Sequence, residues 1–189
     1  MAEPRNISDL VDRIGRIVHA IQFASGLNPA QWEALRFLSR ANSYSRSPGA
    51  LAEYLGSTKG TVSQTIIALE SKGYVVRNRS ETDRRSINIE LTDEGHDLVS
   101  QDPLCLVEGA VSGLAPADRD NFARSMDSLI KNLQRERGQA EFGVCGECVH
   151  NRSDGEFGEN CHCILRDEVL LFDELAQICL DFQSAQHSS

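Results

Sequence analysis

The chain has no apolar run long enough to cross a bilayer. The longest purely apolar stretch near its C-terminus is Val169-Leu170-Leu171-Phe172, against the ~20 residues a spanning helix requires. The first residues, MAEPRNISDLVDRI, carry no basic stretch followed by an apolar one, so no secretory signal is read there. Internal repeats and low-complexity segments are missing too. No Ser/His/Asp arrangement, phosphate-binding loop or dinucleotide fingerprint occurs, which argues against an enzyme. We therefore expect a cytoplasmic protein without a membrane partner. Thiols stay reduced in that compartment, so clustered cysteines read as metal ligands or redox groups before disulfides.

Basic residues are also scarce. Nineteen Lys and Arg against 28 Asp and Glu give a net charge of −9, which by itself argues mildly against nucleic acid. The distribution matters more than the sum. Between Arg40 and Leu91 eight basic residues face five acidic ones, whereas from Gly138 onward only Arg152 and Arg166 oppose ten carboxylates. A locally basic segment thus sits on an acidic body. The 189 residues suffice for one domain and an appendage. The composition changes at Gly138, so we expect a first unit over 1–137 and a cysteine-rich extension over 138–189.

Apolar residues from Ile7 to Ile21 recur with a 3.6-residue period, predicting one long helix over Asn6 to Ser25. Asn28 and Pro29 start a second helix through Trp32, Leu35, Phe37 and Leu38. Asn42 to Arg46 reads as a polar loop. Ser47-Pro48 opens a short third helix ended by Gly56. Ser57 or Thr58 caps a fourth, which runs to about Lys72 and is stopped by Gly73. Tyr74-Val75-Val76 and the alternating Ile87 to Leu91 read as two strands around a charged turn. Thr92 caps a fifth helix, and Pro103 predicts a kink or break in it. A sixth runs from Pro116 to Gly138 with Phe122, Met126, Leu129, Ile130 and Leu133 on one face.

The order helix, helix, strand, charged turn, strand over Leu51 to Gly95 describes a helix-turn-helix with a β-hairpin wing. Such a motif sets its second helix in the major groove of double-stranded DNA. The candidate reading residues are Ser57, Thr58, Lys59, Thr61, Ser63 and Gln64, with Val62, Ile66 and Leu69 as the buried face. Arg77, Arg79, Arg84 and Arg85 of the wing are candidates for phosphate or minor-groove contact.

The segments LAEYLGSTKGTVSQTIIALESKGYVVR, TDRRS and LTDEG, in that order and separation, resemble the winged helix of MarR-type bacterial regulators. The resemblance covers roughly Ile7 to Leu133. It implies a mainly α fold with a small wing, and a homodimer joined through the first and last helices. It also implies a pseudo-palindromic operator, and it assigns Asp83, Arg84 and Arg85 to the wing motif. Thr82 stands where such regulators often carry an arginine, which moves the expected minor-groove contact to Arg79 or Arg84.

Five of the six cysteines lie in the last quarter of the chain, as Cys145-x2-Cys148, then Cys161-His162-Cys163, then Cys179. A C-x2-C loop presents two thiolates to one metal. We expect Cys145, Cys148, Cys163 and Cys179 as ligands, with Cys161 as the alternative third ligand and His150 and His162 as spares. Cys179 is expected on the inner face of a helix over about Leu165 to Phe182, with Phe172, Leu175 and Phe182. Four thiolates suit structural zinc and equally an iron–sulfur cluster; both remain open. Cys105 reads as a core residue, and His19 and His96 as surface or packing residues. Two functions follow for the extension: it senses iron or redox state, or it is purely structural zinc on a regulator whose effector is a small molecule bound near Trp32. A redox enzyme using the cysteines is the remaining class.

Overall fold

The computed structural model describes residues 3–79, 87–153 and 161–184. Helix α1 (Pro4–Ile21) leads to α2 (Pro29–Arg40), α3 (Pro48–Tyr54) and α4 (Lys59–Ser71). Strands β1 (Val75–Arg79) and β2 (Ile87–Leu91) follow, then α5 (Asp93–Val99), α6 (Cys105–Ser112) and α7 (Pro116–Glu136). The helix starts are where side-chain oxygens can take the free N–H groups of a first turn. Asn28 and Gln31 form a reciprocal capping box on α2. Ser47, Thr58 and Thr92 cap α3, α4 and α5 by accepting from Ala50, Thr61 and Gly95. Gly56 (φ +56°) and Gly73 (φ +78°) end α3 and α4 in the left-handed conformation.

One boundary differs from the sequence reading, and the break expected at Pro103 is present. Helix α1 stops at Ile21 rather than Ser25, and Leu27 turns into the core instead. The fifth predicted helix is divided: α5 ends at Val99 and α6 begins at Cys105, with Pro103 in the break. The sixth predicted helix is therefore α7.

The core is built where α2 crosses α4 and the wing. Trp32, Leu35, Phe37 and Leu38 of α2 meet Leu51 of α3, and Val62, Ile66 and Leu69 of α4. Val75, Ile89 and Leu98 close it from β1, β2 and α5. Each such side chain stabilises the fold by ~1.5–3 kcal/mol relative to exposure. β1 and β2 pair antiparallel from Val75↔Leu91 to Arg79↔Ile87. Arg36 of α2 is ion-paired with Asp102 at 2.9 Å and also bonds Gln22, fastening the end of α1 and the α5–α6 link to the body.

Helices α1, α6 and α7 contribute no buried residue within one chain. The apolar stripe of Ile7, Leu10, Ile14 and Ile17 is exposed, as are Phe122, Ile130 and Leu133 of α7. No helix among the described residues is long and apolar enough to cross a membrane.

The cysteine segment is not helical. β3 (Gly143–Val144) pairs antiparallel with β7 (Ile178–Cys179), while β4 (Asn151–Ser153), β5 (Cys161–Cys163) and β6 (Glu168–Leu170) form an antiparallel meander. Among the described residues of the segment, only short 3-10 turns occur, at Cys145–Glu147 and Glu174–Ala176. The helix expected over Leu165 to Phe182 is thus corrected to a turn, β6, a 3-10 turn and β7. Two tertiary interactions override the apolar periodicity: β7 pairs with β3, and Ile178 enters the main core. Asp167 takes a left-handed conformation (φ +56°) in the β5–β6 turn. Phe172, expected inside, is 90% exposed.

Candidate nucleic-acid interface and candidate metal centre

The capped start of α4 presents Thr58, Lys59, Thr61, Ser63 and Gln64 to solvent, with Ser57 half-buried beside them. Val62, Ile66 and Leu69 are buried on the opposite face. Thr58 and Thr61 share a hydroxyl hydrogen bond of 2.9 Å, and the Thr65 hydroxyl donates to the Thr61 carbonyl at 3.1 Å. These bonds hold the short polar side chains close to the helix. Lys59 and Gln64 are the longer side chains on that face. Thr61 and Gln64 look across an open groove toward Asn28 and Gln31 at the start of α2.

Among the wing arginines, Arg77 is already engaged. It forms a two-point ion pair with Glu70 of α4, and the hydrogen bond from its guanidinium holds the Glu70 carboxyl below the usual carboxylate range. Arg77 therefore fixes the wing to α4. Arg79 ends β1. Arg84 and Arg85, with Thr82 and Asp83, lie outside the described residues.

In the C-terminal segment Cys145, Cys148, Cys163 and Cys179 line one small cavity of about 20 Å³, together with His150, Asn151, Leu165, Arg166, Leu170 and Asp181. Strand pairing brings them there. Cys179 on β7 faces Gly143 on β3, next to Cys145, and Cys163 on β5 is opposite Asn151 on β4. Cys161 is buried, but it is not among the lining residues. The thiols border the cavity without converging on one point: among the described residues no three His, Cys, Asp or Glu side chains form a ready ligand set for one ion.

Cys145 and Cys179 share a side-chain hydrogen bond. It draws the Cys179 thiol down and pushes that of Cys145 up. The Asn42 amide donates to Cys145 Sγ at 3.7 Å and favours the thiolate form of both. His150 Nε2 and Asn151 Oδ1 are buried without a hydrogen-bond partner among the described residues. An orphaned buried polar atom typically costs ~1–3 kcal/mol, so a wall carrying two of them is suited to an occupant that engages them. His162 lies 3.3 Å from Asp167 on the β5–β6 hairpin and is absent from the cavity lining.

Cys105, read from sequence as core, is exposed at the start of α6. That helix rests on no buried face of its own chain, so its apolar composition does not translate into burial. His19 and His96 are exposed, with His19 packed edge-on to Phe23. Trp32 is fully buried, and its indole N–H is given to the Ala24 carbonyl at 3.3 Å. Two further residues, Asn42 and Ser45, lie in the stretch whose sequence reads as a polar loop. Both are buried, and neither residue type signals burial.

The capped, outward-facing α4 followed by an antiparallel wing defines a winged helix-turn-helix protein. Residues 25–86 match the model of the MarR family. The transcriptional repressor MprA of Escherichia coli K12 is 31% identical over 116 residues, which cover 59% of this chain and 65% of that protein. The chain thus spans just under two thirds of that relative's length. The repressor YetL of Bacillus subtilis is 24% identical over 131 residues, 68% of this chain and 78% of that one. Among solved structures, a MarR transcriptional regulator from Methanosarcina mazei superposes with a TM-score of 0.58 at 25% identity, covering 68% of this chain and 96% of its own. Streptococcus pneumoniae FabT, solved in complex with DNA, gives 0.58 at 21% identity, covering 70% and 99%.

Proposed function

We propose that this protein is a transcriptional regulator that binds an inverted-repeat operator as a homodimer. The observation that carries the reading is the exposed polar face of α4, Thr58 to Gln64, on a winged helix that matches the MarR family. FabT, which has this fold, was crystallised on DNA. Thr58, Lys59, Thr61, Ser63 and Gln64 meet base edges, and the start of α4 takes a phosphate near Ser57. Arg79, Arg84 and Arg85 contact the backbone or minor groove, while Arg77 sets the angle of the wing. The exposed stripes of α1 and α7 supply the dimer contact, since so much contiguous apolar surface is unfavourable in water. Selection from random duplexes tests this reading. Recovery of an inverted repeat, with affinity that falls steeply with salt, is expected; no selected duplex at any salt concentration overturns it.

The cysteine segment, in this reading, holds a metal through Cys145, Cys148, Cys163 and Cys179. The support is their common cavity and the unpaired His150 and Asn151 on its wall. About 20 Å³ accepts one small occupant, so a single thiolate-bound ion such as zinc requires the four thiols to draw together around it. An iron–sulfur cluster requires the β4–β5 and β6–β7 walls to part. Metal analysis and an absorption spectrum on protein purified without oxygen separate the two: zinc is colourless and an iron–sulfur cluster is brown.

A further inference from the structure

Helices α1 and α7, assigned above to the dimer contact, are not anchored in their own chain by buried side chains, and neither is α6. Core packing therefore does not fix their angle to the winged helix, and the joints must. Two of these joints, the turn after α1 and the link from α5 to α6, meet on one side chain of α2. Arg36 Nη1 donates to both carboxylate oxygens of Asp102, at 2.9 and 3.1 Å, and its Nη2 donates to Gln22 Oε1.

Each partner is itself fixed to a helix end. Gln22, 4% exposed, closes α1: its Nε2 donates to the Val18 carbonyl at 3.0 Å. Asp102 opens α6: its Oδ1 accepts from the Leu104 N–H at 2.8 Å, and its backbone carbonyl accepts from the Cys105 N–H at 3.0 Å. The Arg36 and Asp102 side chains are only 20% and 18% exposed, so water competes little for the pair. Arg36 stands between Leu35 and Phe37, whose side chains lie in the core that also holds Val62, Ile66 and Leu69 of α4. The turn after α1 has two further ties among the described residues, from Trp32 Nε1 to the Ala24 carbonyl and from Lys72 Nζ to the Gly26 carbonyl. Both grip the connecting chain beyond Gln22, and neither bonds α1 or α6.

We propose that Arg36 is a positioning residue that sets which spacing of operator half-sites the regulator accepts, by locking the ends of α1 and α6 to the helix on which the reading helix α4 is packed. The inference rests on the homodimer and inverted-repeat reading given above. A dimer engages two half-sites at once only if its two reading helices stand at the matching separation and angle. One base pair more or less shifts a half-site by ~3.4 Å and turns it by roughly 35°. A stiff joint cannot follow that displacement and forfeits the second half-site, whereas a loose joint follows it. Arginine suits the lock because its planar fork reaches two partners in fixed directions, while lysine offers a single point charge.

The experiment uses the full chain, the inverted repeat recovered by selection, and duplexes with a base pair added to or removed from its spacer. The unaltered protein binds the selected spacing on the order of tenfold more tightly than its neighbours. Arg36→Lys keeps a charge opposite Asp102 but cannot hold Gln22 as well, so the preference falls to about twofold. Gln22→Ala, which removes the α1 arm and leaves the ion pair, behaves the same way, and it decides the matter if Arg36→Lys does not fold by circular dichroism. A merely structural Arg36 gives a different pattern, an equal proportional loss on every spacer with the preference kept. That result, or an unchanged profile in both folded variants, overturns the inference. An unaltered protein that binds the inverted repeat as a dimer at every spacing alike also overturns it and leaves the operator reading standing. An unaltered protein that recovers no inverted repeat overturns that reading, and the inference with it.

Discussion

Gly95 lies directly against the carbonyl of Tyr74: a Cβ at position 95 would fall 2.2 Å from that oxygen. The contact seats the first turn of α5 on the start of the wing, next to the Thr92 hydroxyl, which donates to the Gly73 carbonyl at 2.7 Å. Gly95→Ala forces the new Cβ against the Tyr74 backbone carbonyl, which cannot be relieved by a rotamer change. The expected loss is ~1–3 kcal/mol or more of stability, the usual range for overpacking. A shift in the urea midpoint measures it, and an unchanged midpoint would mean that α5 sits elsewhere in solution.

The reading helix gives a second prediction. Gln64 is exposed on α4 and is long enough to reach an adenine edge. Gln64→Ala should alter sequence preference by roughly 1–3 kcal/mol if it makes a bidentate contact. Arg84→Ala and Arg85→Ala should instead weaken binding to every duplex alike and flatten the salt dependence. Affinities across a panel of point-substituted operators separate the two patterns; a uniform loss for Gln64→Ala would remove it from the base contacts.

Assembly is tested at α1. Ile14 is 45% exposed in one chain, so Ile14→Glu is tolerated by a lone protomer. In a dimer buried at that stripe it leaves an unpaired charge, which costs several kcal/mol. Light scattering should report monomer while the helical circular dichroism signal persists. A variant that stays dimeric places the contact elsewhere.

Serine substitutions probe the cavity. Cys145→Ser, Cys148→Ser, Cys163→Ser and Cys179→Ser should each lower bound metal, because each removes one thiolate from the wall. Cys105→Ser should leave metal content unchanged, since Cys105 is exposed on α6. Cys161→Ser is the discriminating control: it sits two residues from Cys163 but not on the cavity lining. Metal lost with Cys161→Ser and kept with Cys163→Ser would exchange their roles.

The winged helix was legible in the sequence because its signals are local. Asn28, Ser47, Thr58 and Thr92 cap the helices where short polar residues precede apolar periodicity, and Ile87 to Leu91 alternates as the strand it forms. The C-terminal segment was less legible because its structure depends on partners far along the chain. Phe172, Leu175, Cys179 and Phe182 recur at helical spacing, yet β7 is decided by pairing with β3 and by Ile178 entering a core made some 140 positions earlier. Spacing alone did nominate the four cysteines that the strands bring to one cavity. It gave no hint of Asn42, whose importance lies in contacts with residues 145 and 178.

Ile178 belongs to the same core as Trp32 and Leu69, and Gly143 leaves room for the Phe182 ring, which a Cβ there would meet at 2.5 Å. The segment after α7 therefore acts as a wall of the winged helix rather than as cargo attached to it. Cutting the chain at Gly138 would expose Ala41 and the underside of α2 along with removing the thiols. A deletion that abolishes DNA binding would then say nothing about the role of the cysteines, because it would also expose the core. By the same logic, the cysteine segment could be transplanted onto another winged helix only if the recipient had a vacancy shaped for Ile178.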